Sequence, residues 1–371
     1  MASVREIVKN LEKLAPAGTA EMWDNVGLLV GKPDAKVASA VICIDLNARA
    51  IAEAKKKKCQ LIVNHHPCIF PREAGLSRVT SEGKGMGALV HECIENGIAV
   101  ISCHTNFDQC ALEVPQEVCR GLGLEPMGRL LDDSEVVKLS VFVPRTHLTK
   151  VRDAICEAGA GKIGNYDFCT FNVEGQGSFR GLTGSDPFLG KPGRLELAEE
   201  ARLETVFPKG LQTEVLRALR EAHPYEEVAY DLYPVLQRPP SVGLTKGLGY
   251  GVVGKYKKPR AFATVAQEIK KLFRVDHFWV SENPPKTVAK VGFVAGKGAG
   301  FVEAALAEGC DLFVTGEAGY HKVIKAAAHG MAIIELGHRE SELFFPVVMK
   351  KWLSNMGVEG VVLETPVQTI F

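Results

Sequence analysis

Short apolar runs that break off in polar clusters constrain this chain more than any other feature. Gln60-Leu61-Ile62-Val63 runs straight into Asn64-His65-His66-Pro67. Such a run reads as a buried strand, and Pro67, with no N–H to give a sheet ladder, must end it. Residues 98–102 run into Cys103-His104-Thr105-Asn106-Phe107-Asp108, residues 311–314 into Thr315-Gly316-Glu317, and residues 332–336 into Gly337-His338. Helical patterns lie between and beyond them, at 48–57, 86–96, about 320–329 and about 340–353. Strands alternating with helices imply a largely parallel sheet covered on both faces. In such sheets ligands bind at the carboxyl edge of the strands, which is where the histidines and carboxylates of this chain collect.

The same rhythm extends to both ends. Residues 3–14 read as a helix, 26–30 and 38–44 as strands, the second ending at Asp45, and the last third adds strands at 288–295 and 360–363 with helices at 262–273 and 301–308. The character changes after Asp132-Asp133. Strands at 136–143, 169–173, 203–206 and 229–233 enclose helices at 148–158 and 212–222, a β-α-β-β-α-β order that is the ferredoxin-like split unit. This gives a first α/β half at 1–134, an inserted α+β domain at 135–236, and a linker plus second α/β half at 237–371, with the Pro- and Gly-rich 238–251 stretch as the exit linker.

The two α/β halves resemble each other. Residues 59–65 (CQLIVNH) align with 310–316 (CDLFVTG), and 96–104 (NGIAVISCH) with 329–337 (HGMAIIELG), with His338 next. Each pair is strand, polar cluster, helix, glycine, strand, polar cluster. A weak duplication of one α/β unit, split by the insert, would turn both sets of strand-end loops toward a shared cleft.

Composition narrows the classes. Lys plus Arg and Asp plus Glu both number 44, so the formal net charge is zero, and nucleic acid, which selects a basic surface, is not an expected partner. The lysines at 55–58 close a predicted helix, where the macrodipole favours cations. No stretch approaches a membrane span, and residues 2–9 are amphipathic, without the apolar core of a signal peptide. The ten cysteines form no C-x-x-C pair, and Cys43, Cys93 and Cys310 sit in apolar runs, which reads as buried thiols in a reducing cytoplasm. Cys68 and Cys103 lie near the polar clusters, but histidine and carboxylate are the expected ligands there.

The candidate ligands are His65, His66, Asp108, His338 and Glu342. With a helix starting near Glu340, Glu342 falls in its first turn and reaches back to His338, since residues four apart share a helix face; both acidic side chains would also suit a helix N-terminus. Three imidazoles and two carboxylates are too many for one closed four-coordinate zinc and suit two adjacent ions bridged by a carboxylate. N and O donors without thiolate allow Zn, Mn, Fe or Co, with zinc the ion expected on purification. Two ions held close lower the pKa of a shared water and clamp both oxygens of a displacement. His104, Glu317 and His321 are placed to fix imidazole tautomers or to shuttle protons.

Asn-His-His-Pro, His-Thr-Asn-x-Asp, Thr-Gly-Glu-x-x-x-His and Gly-His-x-x-Ser-Glu, in this order, resemble the Nif-three-like family, whose bacterial members carry the name GTP cyclohydrolase 1 type 2 homologue. Trp23-Asp24-Asn25-Val26-Gly27-Leu28, Gly164-Asn165-Tyr166 and His223-Pro224-Tyr225-Glu226-Glu227 extend the likeness over nearly the whole chain. The resemblance implies a dinuclear site of His65, His66, Asp108, His338 and Glu342, with Glu342 as the bridge. It also implies a toroidal homohexamer with metal sites facing an internal cavity, and a PII-like or CutA-like insert. One departure is visible: the third motif often has Asp where this chain has Glu317.

Other segments look functional and read as structural. Residues 295–300 (AGKGAG) lack both phosphate-loop spacings and read as a tight strand-to-helix turn, though free N–H groups there would suit a phosphate. Residues 223–227 read as a turn packing the insert, and 179–190 as a long polar loop. Two functions fit: a dinuclear metal-dependent hydrolase of a small phosphorylated or nucleotide-like molecule, or a non-catalytic protein that stores, delivers or senses metal, with the PII-like domain as regulator. The same ligands serve both.

Overall fold

The computed structural model describes residues 1–21, 23–70, 78–82, 85–132, 136–163, 166–235 and 248–363. Parts of the 71–85 loop, Gly164-Asn165 and most of the 238–251 linker lie outside the described residues. The chain divides into two compact units, one of Met1–Asp132 with Ser241–Phe371 and the other of Asp133–Pro240. Together they form a mixed α/β fold.

Two large sheets, with two short strand pairs beside them, build the first unit among the described residues. One has the order Glu359–Val362, Ser39–Cys43, Leu61–Asn64, Ala99–Ser102, Gly27–Val30, with the first four strands parallel and the last antiparallel. The other has the order Trp279–Val280, Ala332–Glu335, Leu312–Glu317, Thr287–Lys297, Val252–Ala261, Glu125–Gly128, parallel through its middle three strands. The segments paired by sequence hold corresponding places. Leu61–Asn64 pairs with Ala99–Ser102, and Leu312–Glu317 with Ala332–Glu335, both parallel. The strands are buried on both faces, which is why they read as unbroken apolar runs. Leu61, Val63 and Ile101 enter one core while Ile62 and Val100 enter another on the opposite face.

The halves also exchange their ends. After the Ala99–Ser102 strand the chain forms helix Glu113–Leu122 and strand Glu125–Gly128, and both go to the second sheet: Val118, Cys119 and Leu122 pack with Val252, Val291 and Phe293. After the Ala332–Glu335 strand, helix Phe344–Asn355 and strand Glu359–Val362 go to the first sheet, where Phe345, Met349 and Trp352 pack with Ile7, Ile42 and Val63. Each half therefore completes the other's core.

The long helix expected from about Glu340 is two. His338–Ser341 forms one turn, Glu342 follows it, and Phe344–Asn355 starts anew. Pro346 explains the break: it lacks an N–H and is tolerated only in a first turn, so the second helix must begin just before it. Helices Thr105–Cys110 and Glu113–Leu122 and strand Val252–Ala261 add to the elements read from sequence.

The second unit is a four-stranded antiparallel sheet in the order Thr170–Arg180, Leu195–Pro208, Val136–Pro144, Tyr230–Val235. Helices Leu148–Glu157 and Gln212–Ala222 press Val151, Ile155, Val215 and Leu219 onto Leu139, Val141, Leu203 and Phe207. Its first hairpin is longer than the apolar pattern suggests. The outer stretch, such as Val173 to Gln176, is exposed and held by ladder hydrogen bonds rather than by core contacts. Phe179 and Arg180, read as loop, close that strand.

Candidate metal centre

His65 and His66 leave the end of the Leu61–Asn64 strand. The buried Asn64 side chain fixes the exit: its Nδ2 donates to His66 O (2.7 Å) and its Oδ1 accepts from Ser102 Oγ (2.6 Å). The N–H groups of both histidines donate to Ile44 O at 3.0 Å, so neighbouring strand ends orient the pair.

Each imidazole is tied through Nδ1. His65 donates to Cys103 O (2.8 Å), His66 to Asp45 Oδ1 (2.8 Å), and His104 to Asp24 Oδ1 (2.9 Å); His338 Nδ1 stands 3.3 Å from Glu317 Oε1. A carbonyl or carboxylate can only accept, so Nδ1 carries a proton and Nε2 is the nitrogen left to take up a second proton or a metal ion. Those Nε2 atoms face carboxylate oxygens. His338 Nε2 and His66 Nε2 are each 3.2 Å from Glu342, on Oε1 and Oε2 respectively, and His65 Nε2 is 3.7 Å from Oε1 and 3.6 Å from Asp108 Oδ1. Glu342 is 6% exposed, and its Oε2 has no hydrogen-bond donor in acceptable geometry despite the nearness of His66. Acceptors facing acceptors in a buried place repel unless a cation lies between them. Proton and metal ion are the two candidates.

The electrostatics agree. Burial would raise the Glu342 carboxyl, but the charge of His65 and the close approach of His338 and His66 hold it well below the usual carboxylate range. Burial would lower His66, yet hydrogen bonds and charges of Asp45 and Glu342 outweigh it and push the imidazole up to about 10. Hydrogen bonding to Glu342 also raises His338, while burial lowers His65 and raises Asp108.

The walls leave little slack. Gly296 has φ +66°, and a Cβ there would stand 2.8 Å from Glu342 Oε1. Its N–H donates to Ser341 Oγ (2.8 Å), so this amide of the AGKGAG turn is committed to the fold rather than free for an anion. Phe345 stacks against His65 at 4.7 Å. At the rim, Trp23 (44% exposed) and Phe70 lie 5.9 Å apart, with Trp23 also 5.9 Å from His104; Asn25 Nδ2 donates to Ile69 O (2.7 Å) and ties their two loops.

Thus His65, His66, Asp108, His338 and Glu342 come together, with His104 and Glu317 beside them. His321 does not join them: it is exposed on helix Tyr320–Ala328, against Tyr320. Two sets of described side chains could hold a metal ion, His65 with His66 and His104, and His66 with His338 and Glu342, the ligand atoms of each lying within 4.8 Å of one another. Asp24, Asp45 and Gly296 were not singled out as site residues from sequence. A usable signal existed for Asp45, a carboxylate closing a strand in line with the histidine strand, and for Asp24, within the Trp-Asp-Asn motif.

A family model described as Duf34/NIF3 (NGG1p interacting factor 3) matches residues 2–368. The chain belongs to this family. A relative from Bacillus subtilis (strain 168), named GTP cyclohydrolase 1 type 2 homolog, is 34% identical over 352 residues, covering 94% of this chain and 92% of its own. The crystal structure of a Bacillus cereus protein related to NIF3 is similar at TM-score 0.64 and 32% identity, covering 100% of this chain and 99% of that one. A Staphylococcus aureus structure at 23% identity and TM-score 0.66, covering 100% and 99%, shares the fold. Among the described residues, no helix of this NIF3-family chain is long and apolar enough to cross a membrane.

Proposed function

We propose that this NIF3-family chain holds two divalent metal ions and hydrolyses a small phosphorylated or nucleotide-like molecule. The observation that carries the reading is the approach of three Nε2 atoms, from His65, His66 and His338, to the buried Glu342 carboxylate, whose Oε2 lacks a hydrogen-bond donor in acceptable geometry. His66 and His338 form one donor set and His65 and Asp108 the other, with Glu342 shared. When bound, the ions supply Lewis acidity to a water and to the oxygens of the reacting centre. Asp45 and Glu317 fix imidazole tautomers, as carboxylates behind metal-binding histidines do. Glu317, exposed at the end of its strand, is placed to move a proton between His338 and solvent.

The Trp23–Phe70 pair supports the nucleotide-like part of the reading, because the exposed Trp23 ring, backed by half-buried Phe70 beside a charged site, suits a planar base. The names of the relatives make a guanine nucleotide the first compound to test. The strand order of the second unit supports a ferredoxin-like, PII- or CutA-like module. A toroidal homohexamer, zinc as the ion on purification and a cytoplasmic location complete the proposal; light scattering tests the hexamer. Elemental analysis of protein purified without chelator, beside His65→Ala and Glu342→Ala, tests the core of it together with a screen of nucleotides and phosphoesters. Two ions per chain, lost in the variants, with metal-dependent turnover, is the expected result. Two ions without turnover on any compound would shift the function to metal storage, delivery or sensing.

A further inference from the structure

We propose that His104 is a metal ligand in its own right, the counterpart in the first half of His338 in the second. This rests on the dinuclear reading above and extends its ligand set. Both histidines lie just beyond the strand that follows the central one, Ala99–Ser102 or Ala332–Glu335, at the start of a short helix, Thr105–Cys110 or His338–Ser341. Both precede a carboxylate by four residues, Asp108 or Glu342. Both have Nδ1 facing a carboxylate from another strand end or loop, Asp24 at 2.9 Å or Glu317 at 3.3 Å.

The Asp24 side chain is fully buried and made rigid by N–H bonds from Thr105 (3.1 Å) and Asn25 (2.8 Å) and by the Thr105 hydroxyl. A proton relay needs a carrier that exchanges with water, whereas a buried, multiply anchored carboxylate behind an imidazole is the arrangement that orients a metal ligand. One ring nitrogen each of His104, His65 and His66 lies within 4.8 Å of the others, and His65 Nε2 is 3.6 Å from Asp108. His104 therefore belongs with His65 and Asp108. The centre becomes two related half-sites, His104 and Asp108 with His65 and His338 with His66, that share Glu342.

The test is metal binding, independent of any activity. Metal-free wild type, His104→Ala and His104→Gln are titrated with cobalt(II), and the d–d absorption and the bound metal are followed. The Gln side chain keeps an amide donor for Asp24, which guards against loss of fold, and circular dichroism checks each variant. Wild type should take two ions. Both variants should keep one and bind the second at least about tenfold more weakly, with loss of one absorption component. Anomalous diffraction from zinc-loaded wild type should place His104 Nε2 within about 2.0–2.1 Å of an ion. Folded variants that bind both ions with unchanged affinity and spectrum, or an ion beyond bonding reach of His104, would overturn this inference and leave the dinuclear reading standing. Wild type that binds no ion would overturn both.

Discussion

Gly296→Ala tests how tightly the fold clamps the Glu342 carboxylate. The residue sits at φ +66°, where an alanine costs about 1–2 kcal/mol because its Cβ crowds the following carbonyl. The new Cβ would also lie 2.8 Å from Glu342 Oε1 and 3.4 Å from His338 Nε2. Relaxed contacts of a carbon atom are about 3.5 Å or longer, so the carboxylate must retreat by several tenths of an ångström. It has nowhere to go, since its two oxygens are hemmed by His338 and His66 at 3.2 Å and the side chain is buried. The backbone term should lower the melting temperature of metal-free protein by roughly 2–8 °C, at roughly 2–4 °C per kcal/mol. The displaced carboxylate should weaken metal binding by about 10–100-fold, as lost outer partners do. Zinc titration with a competing chelator and a thermal melt read the two effects separately. Gly300→Ala is the control from the same turn, since no atom lies within 4 Å of its added Cβ. A folded Gly296→Ala protein with wild-type zinc affinity would show that Glu342 Oε1 is not at the ligand position.

Asp45→Asn should weaken binding by about 10–100-fold, because the amide no longer fixes the His66 tautomer as the 2.8 Å carboxylate contact does; unchanged affinity by calorimetry would deny Asp45 that role. In the metal-free protein His66 is pushed up to about 10, so below that pH it carries a proton that an incoming ion must displace. Zinc affinity should accordingly rise with pH, by about tenfold per unit for each proton released, and level off near pH 10; affinity that is flat between pH 6 and 9 would contradict it. Phe345→Ala removes a fully buried ring that packs on Phe107 at 4.8 Å and on His65 at 4.7 Å, and should cost about 3–5 kcal/mol in urea unfolding. A loss under about 1 kcal/mol would mean that the helix is not integral to the first core.

The strands and most helices were legible because burial on both faces forces unbroken apolar runs, and polar clusters mark where each run meets the cleft. Leu61–Asn64 and Ala332–Glu335 are examples. The candidate ligands were legible for the same reason, since His65, His66 and His338 all stand at such ends. Less visible was whatever depends on distant partners. Nothing local tells that Glu113–Leu122 packs on the second sheet or that Glu125–Gly128 extends it. Gly296 reads as one glycine among several, and only the approach of Glu342 shows why that position must lack a side chain. The break at Glu342 was hidden too, since the apolar pattern continues through it and only Pro346 speaks against one helix.

The exchange of chain ends explains where the carboxylates stand. Asp108 lies on the short helix Thr105–Cys110 at which the chain leaves the first core: Phe107 and Ala111 still pack there, while Val118 and Leu122 already belong to the second. Glu342 lies at the opposite crossing, with Phe344 in the second core and Phe345 in the first. A residue at a crossing belongs to neither sheet and can face the gap between the strand ends of both. The histidines of the first half, on strand ends, are fixed by one core alone, whereas Glu342 reaches His65 and His66 only if helix Phe344–Asn355 docks across. Its proximity to them, 3.7 and 3.2 Å, is therefore a property of the assembled pair of halves. A metal ion held by Glu342 and the first-half histidines would bind only the exchanged arrangement, so its binding energy would add directly to the stability of that arrangement, by about 2.7 kcal/mol when free metal is a hundredfold above the dissociation constant. Removing metal should then loosen helix Phe344–Asn355 before the strands it covers, with hydrogen exchange rising first in that helix. Uniform protection in both states would mean that the crossing is held by Phe345, Met349 and Trp352 alone.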